Sequence, residues 1–191
     1  MKSVRIFVLG AALLVAGCAN FTAIDAVKPA AVGDNVTVTP QIVWAQAPRP
    51  NVSGTVWTAD GMVLDALMFF TGVEPGKPLI KVSDVSKEDV RVYRADMVPN
   101  DVMELLASNF GKLNYQQIVT SNLRPAPFGQ KQGFRFDLAF TTTEGLEMKG
   151  MTIFAQRGGK LDLILFIAPN EYYFGHYSET VERIFSSIQA P

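Results

Sequence analysis

The stretch Phe134-Arg135-Phe136-Asp137-Leu138-Ala139-Phe140 places a large apolar side chain at every second position. Successive side chains of a β-strand point to opposite faces of a sheet, so this alternation predicts a strand with one apolar face. Turns at Glu144-Gly145 and Gly158-Gly159 then separate two further apolar runs, Met148 to Gln156 and Lys160 to Ile167. Glycine turns between such runs are typical of hairpins, so the region is predicted to be a three-stranded antiparallel meander.

The residues after the second turn indicate layers on both sides of this meander. Residues 161–167 are apolar on both faces beyond Asp162, as expected of a central strand that is covered on both sides. The chain then closes with apolar residues at helical spacing, namely Tyr177, Val181, Ile184, Phe185 and Ile188. Such spacing predicts a terminal amphipathic helix that covers one face of the sheet.

Two earlier segments carry helical spacing and are predicted to cover the other face. In the first, Met62 to Phe70, the apolar positions are Val63, Leu64, Leu67, Met68 and Phe70. In the second, Pro99, Asn100 and Asp101 lead into the run that begins at Val102, and Gly111 lies just past its end, as helix boundaries prefer. Its predicted buried stripe is Val102, Leu105, Leu106 and Phe110.

Further strands are predicted before and between these helices. Residues 35–45 favour a strand that is bent at Pro40, or an edge strand. Residues 54–58 favour a second short strand, and residues 115–123 a third that Pro125 closes off. Together the segments predict an α+β domain, a layered α/β/α sandwich with a mainly antiparallel sheet.

A meander with glycine turns that leads into the helix ending Arg183-Ile184-Phe185-Ser186-Ser187-Ile188 resembles the PsbP/Mog1-like fold. The resemblance covers about residues 134–188. The pattern Gly54-Thr55-Val56-Trp57-Thr58 with Asp60-Gly61 is similar to uncharacterised envelope lipoproteins of proteobacteria. The resemblance implies binding or assembly rather than catalysis, and it carries no functional residue over to this chain.

The N-terminus has the layout of an export signal. Lys2 and Arg5 precede an apolar run, residues 6–15, which is too short for a spanning helix of roughly 20 residues. The run ends in Val15-Ala16-Gly17-Cys18, which resembles the bacterial lipobox. The resemblance implies cleavage after Gly17, a diacylglyceryl thioether on Cys18 and usually a further acyl chain. Because Ala19 is not aspartate, it also implies an outer membrane location, facing the periplasm. The alternative is an ordinary secretory signal that leaves a free cysteine.

Composition bounds the mature chain to one domain. Removal of residues 1–17 leaves 174 of the 191 residues and takes away two of the 17 basic residues, against 18 acidic ones. The charges are scattered, so nucleic acid is not an expected partner. Residues 18–34 are predicted to be a lipidated N-terminus and flexible tether, on the order of 20–25 Å end to end, before a single globular domain at 35–191. The alternative is an extended arm that packs on the domain through Phe21 and Ile24.

Few residues offer catalytic or metal chemistry. His176 is the sole histidine, and Cys18 the sole cysteine, so neither a metal site nor a cofactor is predicted. Paired carboxylates could hydrolyse a glycan, and the candidates for that role are Asp60, Asp65, Glu144 and Glu147. All four lie where turns and helix ends usually place acids. A hydrolase of envelope glycan or lipid is therefore the alternative hypothesis.

An aromatic cluster near the last helix is the candidate contact surface. Its members are Tyr172, Tyr173, Phe174 and Tyr177. Tyrosine is enriched at protein interfaces; the alternative is that Phe174 and Tyr177 seat the helix on the sheet while the other two are half-exposed. Trp44 and Trp57 are expected in the core. The leading hypothesis is a non-catalytic lipoprotein, held in the membrane by the lipid on Cys18, that binds or scaffolds an envelope protein or carries a small apolar ligand.

Overall fold

The computed structural model describes residues 21–33, 35–48, 52–80 and 90–190 of the chain. The predicted signal peptide and Cys18 lie outside these ranges. In chain order the elements are β1 (Thr22–Ile24), β2 (Ala30–Gly33), β3 (Val36–Val38), β4 (Trp44–Gln46), β5 (Thr55–Thr58), β6 (Ala66–Val73), α1 (Pro99–Gly111), β7 (Gln116–Phe128), β8 (Lys131–Thr141), β9 (Glu147–Arg157), β10 (Lys160–Pro169) and α2 (Tyr173–Ser186).

One large antiparallel sheet forms the middle layer. Its strand order is β1-β4-β5-β6-β10-β9-β8-β7, and each neighbouring pair is antiparallel. The predicted meander is confirmed as β8, β9 and β10, with β10 in a central position between β6 and β9. A second, two-stranded sheet is formed by β2 and β3.

The side chains of β10 separate two apolar cores, one on each face of the sheet. Leu163, Leu165 and Ile167 belong to the core under α1. Ile164 and Phe166 belong to the core under α2, which β2 and β3 also cover. The prediction of a central strand covered on both sides is therefore confirmed, as is the α+β layered fold.

The two predicted helices that cover the sheet, α1 and α2, bury the apolar faces that were expected. Helix α1 buries the whole predicted stripe, and Asp101 accepts a hydrogen bond from the backbone N–H of Val98 at 3.2 Å, which caps its first turn. Helix α2 lies on the opposite face of the sheet and buries Tyr177 and its apolar neighbours there. An ion pair between Arg135 of β8 and Glu182 of α2 ties this helix to the sheet.

The predicted helix at residues 62–70 is wrong. Residues 66–70 are all buried and lie in β6, between β5 and β10. A short run that is apolar at every position satisfies helical spacing and a strand buried on both faces equally well. Here the hydrogen-bonded neighbours β5 and β10 make the run a strand and not a helix. Consequently the face that two helices were predicted to cover is covered by α1 together with buried loop residues that include Leu79 and Tyr93.

The predicted flexible tether is also wrong for residues 22–33. Strand β1 pairs with β4 at the edge of the main sheet, and β2 pairs with β3. This is the extended-arm alternative, with Ile24 packed against the core under α2. The segment at 35–45 forms two strands in different sheets, β3 and β4, on either side of Pro40.

Strand β7 continues beyond its predicted end. It runs through Pro125 and Pro127 to Phe128 and pairs with β8 throughout, with two irregularities in register. Proline cannot donate a ladder hydrogen bond, but β7 is the last strand of the sheet and needs partners on one side only.

The strand register gives the main sheet two distinct ends. The proximal end holds the turns at 129–130 and 158–159. The distal end holds the loop at 59–65, the turn at 142–146 and the link from β10 to α2. The ten residues of β10 separate the ends by about 33 Å.

Candidate functional site

The loop between β5 and β6 is held together by one buried carboxylate. Asp65 is 1% exposed. Its oxygens accept hydrogen bonds from the backbone N–H groups of Ala59 and Asp60, each at 2.7 Å, and from the hydroxyl of Thr58 at 3.1 Å. Burial raises the pKa of Asp65, and the two backbone donors partly offset that rise. These bonds fix the loop at the distal end of the sheet.

The same loop is fastened to helix α2. The Tyr177 hydroxyl donates a hydrogen bond to Asp60 Oδ2 at 2.6 Å. Tyr177 is 7% exposed, and its ring centroid lies 5.9 Å from that of Trp44. Burial, followed by the bond to the Asp60 carboxylate, raises the pKa of Tyr177. The hydroxyl therefore stays protonated and acts as a structural donor.

The four aromatic residues of the candidate contact surface differ in accessibility. Tyr172 is 61% exposed, Tyr173 and Phe174 are half-buried, and Tyr177 is buried. The ring of Phe174 stacks on Phe166 of β10, with centroids 6.0 Å apart. Phe174 and Tyr177 thus seat α2 on the sheet. Tyr172 is the member of the set that a partner could reach most fully.

Sequence reasoning missed two exposed apolar residues at the same end of the sheet as Tyr172. Met62 and Val63 are 48% and 78% exposed on the loop that Asp65 holds. At the same end of the sheet, Val43 is also exposed, next to the Trp44 that contacts Tyr177. We call Val43, Met62, Val63 and Tyr172 the distal patch. The signal that could have found it is Asp60-Gly61, a turn pair that marks Met62 and Val63 as loop residues.

His176 lies within the aromatic cluster. It is exposed on the first turn of α2, and its ring stacks on Tyr172 with centroids 5.3 Å apart. It meets Tyr177 edge to face at 4.6 Å. Within the described ranges, no group of three or more histidine, cysteine, aspartate or glutamate side chains is placed to hold a metal ion. The His176 ring therefore packs against the aromatic rings of Tyr172 and Tyr177.

The four candidate carboxylates lie in two places, Asp60 and Asp65 in the loop before β6, and Glu144 and Glu147 at the turn that leads into β9. Asp60 and Asp65 share one loop, but Asp65 is buried with both oxygens bonded to its own loop, and Asp60 accepts the Tyr177 hydroxyl. Glu144 lies in the exposed turn after β8, where the Thr143 hydroxyl donates to it at 2.6 Å. Glu147 begins β9 and is exposed. Asp60 and Asp65 therefore serve as hydrogen-bond acceptors that hold the loop before β6.

A cleft of about 570 Å³ opens at the proximal end rather than at the aromatic cluster. Its walls are Asn35, Thr37, Gly129, Gln130, Ile188, Gln189 and Ala190. None of these side chains is ionisable, so the cleft supplies hydrogen-bonding amides but no acid–base group. The spaces between the sheet and each helix are filled by the two apolar cores.

Comparisons with known proteins identify the fold. No family model matches the chain, and no curated protein sequence matches it. Among solved structures, the solution structure of cyanobacterial PsbP (CyanoP) from Synechocystis sp. PCC 6803 is similar, with a TM-score of 0.51 at 14% identity. The match covers 96% of this chain and 99% of that chain. The PsbP-like fold that the resemblance implied is therefore confirmed.

The helices α1 and α2 of the described residues have 13 and 14 residues. Neither α1 nor α2 is long and apolar enough to cross a bilayer.

Proposed function

We propose that this protein is a lipoprotein of the bacterial cell envelope, anchored by lipid on Cys18, whose single domain binds or scaffolds another protein. The observation that carries the binding role is the distal patch. Its exposed apolar side chains lie on and beside a loop that Asp65 and Tyr177 hold rigid. An apolar surface fixed in advance binds with less loss of conformational entropy than a mobile one.

A protein partner fits the domain better than an enclosed small ligand. Both helix–sheet interfaces are filled by large buried side chains, which include Phe70, Phe110 and Phe166. An apolar ligand would have to displace part of this core. The PsbP-like fold also supports a binding role, because the resemblance that predicted it implies binding or assembly. The outer membrane remains the proposed location, and Ala19 is its support.

Replacing Cys18 with serine should abolish lipidation and the cleavage after Gly17, so the protein should accumulate as the unprocessed, unlipidated precursor. One acyl chain binds marginally and two or three bind stably, so without them the mature, lipid-anchored form is lost from the membrane fraction. Fractionation of cells that express C18S is the measurement, with the precursor and mature forms distinguished by mass. A matched Ala19→Ser variant should stay membrane-bound. If C18S is processed and retained like the wild type, the anchor is contradicted.

A photo-crosslinking side chain at Met62 or Tyr172 should capture a partner protein in intact cells. Both positions are exposed in the distal patch, so a bound partner would lie within reach of the reactive group. The matched control is Val119, which is 57% exposed on β7. Discrete adducts at Met62 and Tyr172, absent at Val119, are expected on electrophoresis. Equal adducts at all three positions, or none, would contradict a partner at the distal patch.

A further inference from the structure

The described chain joins the domain at one edge of the main sheet. Strand β1 is the first strand of that sheet and has β4 as its strand neighbour. The register carries Thr22 across the sheet to the level of Phe166, in the half of β10 nearer the distal end. Thr22 lies four residues after Cys18, and four extended residues span at most about 14 Å. Any bilayer that holds the Cys18 lipid therefore passes close to this edge.

Exposed apolar side chains lie along the same edge. Phe21 directly precedes β1, Val27 follows it, and Val43 directly precedes β4; all three are exposed. A backbone hydrogen bond from the Gln41 N–H to the Ala26 carbonyl, at 2.8 Å, joins the segment after β1 to the segment before β4. We call Phe21, Val27 and Val43 the β1-edge patch. Val43 belongs to the distal patch as well, so the two surfaces meet there.

The charges at this edge cancel. Among described residues 21–33 and 35–48, the charged side chains are Asp25 and Lys28, which form an ion pair at 3.2 Å. A surface without net charge is neither attracted nor repelled by anionic head groups. Burial of its apolar side chains therefore decides whether such a surface rests on a bilayer.

We infer that the β1 edge of the domain rests on the phospholipid bilayer that carries the Cys18 lipid. This inference rests on the proposed lipid anchor. Phe21, Val27 and Val43 enter the boundary between head groups and acyl chains. The backbone of β1 stays at head-group level, because the N–H and C=O groups on its open side need polar partners that hydrocarbon lacks. Strand β7 then lies at the edge of the sheet farthest from the membrane.

This placement also sets where the distal patch meets its partner. The loop with Met62 follows β5, which lies two strands in from β1, and Tyr172 follows β10, four strands in. At about 4.8 Å per strand, these positions lie roughly 10 and 20 Å from the β1 edge. The protein bound there is therefore met beside the membrane surface, while Val43 faces the lipid.

Site-directed spin labelling of the lipidated protein tests this orientation. Cys18 is the sole cysteine and its sulfur is blocked by lipid, so an introduced cysteine is the only reactive thiol. We would label Val43→Cys, Val119→Cys, Gln130→Cys and Glu144→Cys and reconstitute each protein in phosphatidylethanolamine–phosphatidylglycerol vesicles that contain nickel-chelating lipid. The expected relaxation by head-group nickel is roughly fivefold or more stronger at 43 than at 119, because β1 and β7 lie seven strand spacings, about 33 Å, apart.

The other two positions separate the alternative orientations. Glu144 lies at the distal end between β8 and β9, far from β1, and Gln130 lies at the proximal end. A domain standing on its distal end would show relaxation at 144 as strong as at 43, and one standing on its proximal end would show the strongest at 130. Either result, or equal relaxation at all four positions, overturns the inference. Vesicle flotation of the same samples reports anchoring separately, so failure of the anchor and failure of the orientation are distinguishable.

Polar substitution separates contact with the bilayer from the effect of a short tether, which alone would also bring position 43 nearer the lipid than position 119. In the Val43→Cys protein, the pair Phe21→Ser and Val27→Ser should reduce the relaxation at 43 at least about twofold, because the apolar side chains that hold the edge in the interface are lost. Val119→Ser, at an exposed position of the opposite edge, is the matched control and should leave the relaxation unchanged. An unchanged signal in the double variant would overturn the membrane contact assigned to Phe21 and Val27.

Discussion

Replacing Asp65 with alanine is expected to lower the free energy of unfolding by about 3 kcal/mol or more. The substitution removes the acceptor of three hydrogen bonds, from Ala59 N, Asp60 N and Thr58 Oγ1, in a buried site. A hydrogen bond to a charged group contributes roughly 1.5–3 kcal/mol, and a buried donor left without a partner costs roughly 1–3 kcal/mol. Urea unfolding followed by circular dichroism would measure the loss.

Two further variants show whether the hydrogen bonds cause that loss. Asp65→Asn keeps one acceptor oxygen, so its stability should lie between those of the wild type and Asp65→Ala. Glu171→Ala removes an exposed carboxylate from the same end of the sheet and should change stability by no more than about 0.5 kcal/mol. Equal small effects in Asp65→Ala and Glu171→Ala would contradict the role of Asp65 in holding the loop.

Loss of the Asp65 bonds would also affect the proposed binding surface. The loop that Asp65 holds displays Met62 and Val63, and Asp60 on the same loop is bonded to Tyr177. A more mobile loop must be ordered when a partner binds, which weakens binding without altering any residue of the interface. Crosslinking yield at Met62 should therefore fall in Asp65→Asn if the domain remains folded.

The elements predicted correctly are those with local signals at both ends. Strands β8 to β10 alternate or are fully apolar and are divided by glycine turns, and α1 has proline and acid at its start. Helix α2 has apolar positions at a single period. In each case periodicity and boundary residues agree, so one secondary structure satisfies both.

Strand β6 and the N-terminal strands lacked such agreement. The run in β6 is apolar at five successive positions, and its identity as a strand depends on β5 and β10, which lie up to about a hundred residues away in sequence. Strand β1 has three residues and depends on β4 for its hydrogen bonds. Pairing between distant segments cannot be read from the local pattern of either segment.

The candidate site was only partly predictable for the same reason. The aromatic cluster was visible in the sequence, but the contact of Tyr177 with Asp60 joins residues 117 positions apart. Asp65 fell within the segment assigned to a helix, where an acid would be expected on an exposed face. Its burial follows from the turn that brings Ala59 and Asp60 back over it, and that turn was recognised only as Asp60-Gly61.

Replacing Gly54 with alanine is expected to destabilise the protein by about 3 kcal/mol, because the added methyl has no room. A Cβ at this position would lie 2.0 Å from the backbone carbonyl oxygen of Phe69 in β6. Overpacking usually costs roughly 1–3 kcal/mol, and here the obstacle is backbone in a central strand, which cannot rotate aside as a side chain can. Strands β5 and β6 would have to separate, and thermal and urea unfolding would both measure the loss.

Gly175→Ala is the matched control, and its effect should have the opposite sign. Gly175 lies in α2, and a Cβ there meets nothing within 4 Å. Alanine is favoured over glycine in a helix by up to about 1 kcal/mol, so this variant should be stabilised by roughly 0.5 kcal/mol near the helix start. The same substitution thus measures the effect of a steric clash at Gly54 and the effect of helix propensity at Gly175. A Gly54→Ala protein as stable as the wild type would show that β5 does not approach β6 as closely as the structure has it.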